Sequence, residues 1–130
     1  MLHKFRTGDT VEAHRHVNGG GWVADTAHVD ATAYVGADAE VSGEAHVYDE
    51  ARICDRAHIT GFARVYGYAQ VYDDAQIYSN AQVGDEVTIC DNARIGANTK
   101  LAGGSVVGAM STIESGGIGR GVHPGHPHLD

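Results

Sequence analysis

Histidines, clustered carboxylates and a column of tyrosines are the side chains of this chain that could bind or catalyse. His14 and His16 stand two residues apart, so on a strand both imidazoles face one side, a spacing that can hold a metal ion. His123, His126 and His128 form a second metal candidate in a Gly/His/Pro-rich tail. His28, His46 and His58 lie in the repetitive centre of the chain, where an imidazole in reach of a hydroxyl or amine could act as general base. Carboxylates gather at Asp49-Glu50, at Asp85-Glu86, and at Asp55, Asp73 and Asp91 with Asp38 and Asp74 beside them. A divalent cation could bridge such groups. The favoured expectation is that each Asp caps the backbone of its own turn. Cys54 and Cys90 are expected to be free thiols, two coils and roughly 9–10 Å apart on one face with Tyr72 between them, too far for a disulfide.

The element that must position these groups is a six-residue repeat running from Val23 to Thr112 without an inserted residue. Its first position is aliphatic throughout, from Val23, Val29 and Val35 to Ile95, Leu101 and Val107. Its fifth position is small: Ala from Ala27 to Ala81, then Val87, Ala93, Thr99, Ser105 and Ser111. Six residues suit one short strand and one corner. The aliphatic side chain points inward from the strand and the small one lies inside the corner. Val and Ile favour strand geometry, and Gly, Asp and Asn at the third and fourth positions suit tight turns. A fixed period of this length predicts a solenoid.

This pattern resembles the hexapeptide-repeat left-handed β-helix, a superfamily that includes many trimeric acyltransferases. The resemblance implies an all-β, single-stranded left-handed parallel β-helix with three faces. Eighteen residues make one turn, and about five coils make a rod roughly 24 Å long at ~4.8 Å per strand. Residues 1–21 are expected to form a short N-terminal β cap over the open end, residues 22–114 the β-helix, and residues 115–130 the tail. Trp22 is expected to close the apolar end of the first coil. The entry Gly20-Gly21-Trp22-Val23 also looks like that of uncharacterised prophage and bacterial hexapeptide-repeat proteins.

An eighteen-residue turn sorts the outward side chains into columns. One face stacks His28, His46, Arg64, Gln82 and Lys100 before the core residue and Asp30, Tyr48, Tyr66, Gly84 and Ala102 after it. Cations beside tyrosines make this the expected contact face, since Tyr and Arg are favoured interface anchors. The face carrying Trp22, Glu40, His58, Gln76 and Arg94 is mixed and the least informative of the three.

The resemblance also implies functions to weigh. Acyl transfer would use acyl-CoA and a histidine base, for which His46 and His58 are the candidates. The uninterrupted repeat lacks the loop near which that family often places its histidine. A likeness to the γ-type carbonic anhydrases would need three histidines gathered at one site, and His28, His46 and His58 spread over two faces. The expectation is therefore a non-catalytic structural or binding protein with no cofactor, working as a homo-oligomer, trimeric by the resemblance, and able to take a further protein partner. A net charge of −8 argues against nucleic acid as partner, and would allow an acidic decoy of a basic protein. There is no apolar stretch long enough to span a membrane and no signal-peptide core near Met1. A cytoplasmic or virion-associated location is expected.

Overall fold

The computed structural model describes residues 1–108 and 112–113, and the backbone of 117–118. Among these residues there is no helix, and every regular element is a strand. Two longer strands, β1 (Leu2–Lys4) and β2 (Thr10–Arg15), form an antiparallel hairpin. β2 also pairs antiparallel with β3 (Trp22–Ala24), which opens the solenoid. From there two-residue strands recur every six residues. Each pairs in parallel with the strand eighteen residues on, as Arg64 does with Gln82 and Val65 with Val83.

Three sheets result, which we call the hairpin, aromatic and thiol sheets. The hairpin sheet has eight strands and runs from β1 and β2 through Trp22, Glu40, His58, Gln76, Arg94 and Thr112. The aromatic sheet has six, through His28, His46, Arg64, Gln82, Lys100 and Gly117. The thiol sheet has five, through Tyr34, Arg52, Gln70, Thr88 and Val106. Together they make a three-sided parallel β-solenoid of about five turns, consistent with the left-handed β-helix. The strand at Gly117–Ile118 pairs with Lys100–Leu101, so the ladder continues beyond residue 114, with a last step one residue short of eighteen.

The core follows the repeat. First-position side chains from Val35 to Val107 and fifth-position alanines from Ala33 to Ala93 are wholly buried in one continuous cluster. Corners are tied as tightly as strands: Glu44 N–H donates to Gly61 O at 2.8 Å and Glu50 N–H to Gly67 O at 3.0 Å. From Gly43 to Gly103 the third position of every hexad is left-handed, with φ between 51° and 71°. That conformation suits Gly and is tolerated by Asp. At Gly43 an added Cβ would lie 2.8 Å from Gly61 N, so successive corners stack closely.

The aspartates at these corners cap the following coil, not their own turn as expected. Asp49 accepts from Gly67 N–H at 3.1 Å, Asp55 from Asp73 at 3.1 Å, Asp73 from Asp91 at 2.9 Å, and Asp85 from Gly103 at 2.9 Å.

The N-terminal segment closes the first coil in two ways. The turn after β2 meets the open edge: Gly21 N–H donates to Val35 O at 2.9 Å, and Val35 N–H to Asn18 O at 3.0 Å. Residues before β2 fold over the outside of the hairpin sheet, where Phe5, Ala13 and Ala24 form a second small core against Trp22. Trp22 therefore lies on the outer face under the hairpin. Its neighbour Val23 fills the interior, because successive strand residues face opposite sides.

Candidate functional site

The aromatic sheet brings together most of the residues expected to form a contact face. His28 and His46 have ring centroids 5.5 Å apart, His46 and Tyr48 4.9 Å, and Tyr48 and Tyr66 5.3 Å. The two tyrosine rings are stacked, 15° from parallel. Burial and then Tyr66 raise the Tyr48 phenol pKa, and the charge of the neighbouring Arg64 opposes them. Tyr66 lies flat over Gly84 on the next strand, covering backbone that no side chain shields. This is the cross-strand covering of glycine by an aromatic ring that stabilises sheet surfaces. Lys100 continues the cationic column beyond Gln82. Phe62 and Tyr68, on the corners either side of the Arg64–Val65 strand, are 58 % and 59 % exposed. Sequence reasoning passed over both because the fourth position of the hexad varies freely.

The face held least informative proves the most structured. Glu40 is buried beneath the hairpin. His3 Nε2–H donates to Glu40 Oε2 at 3.0 Å, and Arg6 N–H donates to Glu40 Oε1 at 2.9 Å. The Arg6 guanidinium donates to the carbonyls of Asp38 at 2.6 Å and Arg56 at 3.1 Å, clamping two successive corners. His3 stacks on Trp22 at 4.1 Å, and Arg15 lies over the same ring at 4.4 Å. One carboxylate thus holds the N-terminal strand to the solenoid.

His58, a candidate general base, sits one strand beyond Glu40, 7 % exposed. Its Nε2 is buried without a hydrogen-bond partner, 3.7 Å from Glu40 Oε1. Burial lowers its pKa; Glu40 opposes this and Arg6 adds to it. A recess of about 230 Å³ beside it is lined by Arg6, Thr7, Arg56, Asp74 and Gln76 as well as His58. His46, the other candidate, lies half-buried in the aromatic row, away from this recess.

The metal candidates near the N-terminus have separate partners. His14 Nδ1 meets Asp25 at 2.8 Å, whereas His16 is buried and its Nε2–H donates to Ala33 O at 2.8 Å. His123, His126 and His128 lie outside the described residues. Among the described residues, the group of three with metal-ligand spacing is Asp73, Cys90 and Asp91. Asp73 is itself the cap for Asp91 N–H. Cys54 and Cys90 are free, and burial raises both thiol pKa values.

Asp49, Glu50, Asp85 and Glu86 line recesses at the corner joining the aromatic and thiol sheets. Thr32, Asp49, Glu50, Gly67 and Tyr68 bound one of about 380 Å³. Tyr68, Asp85, Glu86, Gly103 and Gly104 bound another of about 500 Å³. These recesses lie on the outside of a rod whose interior is filled by wholly buried Val, Ile, Leu and Ala. Among the described residues no helix is long and apolar enough to cross a membrane.

Comparison with known proteins matches residues 68–103 to the family model described as bacterial transferase hexapeptide (six repeats). No curated protein and no solved structure matches the chain. The repeat and the solenoid agree with the hexapeptide-repeat β-helix superfamily. The narrower likeness to prophage proteins, carried by Gly20-Gly21-Trp22-Val23, finds no support in these comparisons.

Proposed function

We propose that this chain is a non-catalytic β-helical binding protein that acts through protein–protein contacts as a homo-oligomer. Its contact face is the aromatic sheet, with Tyr48 and Tyr66 at the centre and His28, His46, Arg64 and Lys100 around them. The observation that carries this reading is the continuous ring row His28–His46–Tyr48–Tyr66 on the surface of a two-residue-wide strand ladder. Flat aromatic rings supply large contact area at low cost in side-chain freedom, and Tyr and Arg are enriched where interfaces gain most energy. A solenoid one layer thick also has little core per residue, so covering one wall with a second copy stabilises it. The superfamily likeness makes a trimer the expected assembly. Size-exclusion chromatography with light scattering tests the face. Replacing Tyr48→Ser and Tyr66→Ser together should reduce the oligomer to a folded monomer. An unchanged mass in that variant would move the contact elsewhere.

A second reading, acyl transfer from acyl-CoA, is favoured by the family description matched at residues 68–103 and by the buried pair His58–Glu40. In this reading His58 takes the proton of the acceptor, and the Glu40 carboxylate 3.7 Å away stabilises the imidazolium that forms. Acyl-CoA at saturating concentration should then raise the melting temperature by mass action, and His58→Gln should abolish turnover. No shift and no turnover would leave the binding protein.

A further inference from the structure

We infer that the partner of the aromatic face is the acidic corner of a second copy of this chain, in a head-to-tail contact between rods standing side by side in the same direction. This rests on the proposed self-association and names the surfaces that meet. The unmatched charges lead to it. Among the described residues five ion pairs form within the chain, and none uses Arg64, Lys100, Glu50 or Glu86. All four are exposed. The cations stand on the aromatic sheet, and the carboxylates stand on its corner with the thiol sheet, one strand width away. They are close on one body, yet they point from a face and from an edge, and do not meet. A second copy rotated about an axis parallel to the rod brings a face onto an edge.

The spacing along the rod also agrees. Both recesses at the corner are walled by Tyr68, one reaching back to Thr32 and the other on to Gly104. Their acidic pairs, Asp49-Glu50 and Asp85-Glu86, are 36 residues or two coils apart, about 10 Å at the spacing of paired strands. Arg64 and Lys100 are separated by the same two coils. With the rods level, Arg64 lies over the neighbour's Tyr68, where a guanidinium gains from the ring face, and within one coil of either recess. Lys100 stands within one coil of Asp85-Glu86, and His46 stands level with Asp49-Glu50. The corner offers no cation of its own to oppose this: its third and fourth positions from residue 31 to 104 are Ala, Thr, Asp, Glu, Gly, Tyr, Asp, Glu, Gly and Gly. The same surface on both copies would set like charges together. A head-to-tail arrangement sets cation against carboxylate, and such contacts close into rings when the rotation permits.

Charge reversal tests the pairing. Sedimentation velocity should show that Arg64→Glu with Lys100→Glu dissociates the oligomer, as should Glu50→Lys with Glu86→Lys. All four substitutions in one chain should restore the original mass. Circular dichroism of each variant checks the fold, and these exposed positions should leave it unchanged. Oligomers that survive both reversals but fall apart on Tyr48→Ser with Tyr66→Ser would overturn this pairing and leave the self-association reading standing. A four-fold variant that is folded and monomeric would also overturn it. A wild-type chain that is monomeric throughout would instead overturn self-association itself, and this inference with it.

Discussion

The ring of Tyr66 occupies the space that a side chain at Gly84 would fill: a Cβ built there would lie 2.1 Å from Tyr66 Cε2. The two residues face each other across paired strands, since Val65 pairs with Val83. Gly84 has an ordinary backbone conformation, so its smallness serves the tyrosine rather than the turn. Gly84→Ala should lift the Tyr66 ring from the sheet and break its stack on Tyr48. Because the obstruction is the far end of one side chain, the melting temperature should change by only a few degrees, equivalent to about 1 kcal/mol or less. Association should weaken far more. A variant that associates normally would separate the ring row from the interface.

Glu40 predicts how firmly the N-terminus is held. Its carboxylate accepts from His3 and from Arg6 N–H in a buried setting, and hydrogen bonds to a charged group contribute about 1.5–3 kcal/mol each. Glu40→Gln removes the charge and one acceptor. Amide exchange over residues 2–6 should accelerate at least tenfold, while exchange in the strands from Ile53 to Ile95 stays slow. Trp22, the single tryptophan, reports the same event, because His3 and Arg15 cover its ring. Its emission should move to longer wavelength. Unchanged exchange and emission would mean that Phe5 and its small core suffice to hold the hairpin.

His58 makes stability fall with acid. Its folded pKa lies below the ordinary 6.5 because burial disfavours the imidazolium, so the folded state binds fewer protons there than the unfolded chain. Linkage then sets the sign: its contribution is complete above about pH 6.5 and is lost as pH falls below that value. The informative quantity is the difference between wild type and His58→Gln. Thermal melts from pH 8 to pH 5 should show a steeper loss for wild type. Parallel profiles would show that His58 is not held neutral by burial.

Much of this fold was legible in the sequence because one physical demand recurs every six residues. Val65, Val71 and Ile77 must point inward, and Ala63, Ala69 and Ala75 must fit inside corners. Column arithmetic likewise placed Tyr48 beside Tyr66 and His28 beside His46, since stacking at eighteen residues is all those contacts need. The same arithmetic put Glu40 beside His58, but the meaning of that pair depended on His3 and Arg6. Where a non-repeating hairpin folds back is set by Phe5 packing on Ala24, a contact without period. The direction of the corner aspartates was missed for a different reason. Asp at a turn is compatible with capping its own loop or the next, and the choice between them depends on how closely the next coil is stacked, which the residue type does not state.

The two inward positions should respond in opposite ways to volume. Ile77→Ala, at a wholly buried strand position, should cost about 2–5 kcal/mol through lost contacts and a cavity. Ala69→Leu at a wholly buried corner adds atoms where none fit, and should cost about 1–3 kcal/mol or more by forcing the coil apart. Denaturant titration of both variants measures this. A tolerated leucine at residue 69 would contradict the packing assigned to the fifth position.

Sedimentation equilibrium of the unmodified chain, run over a range of micromolar concentrations, addresses the central claim directly. A rod that works by covering its aromatic wall with another copy should give a mass that is a whole-number multiple of 13.7 kDa, three by the superfamily likeness. A mass of 13.7 kDa at every concentration would contradict it.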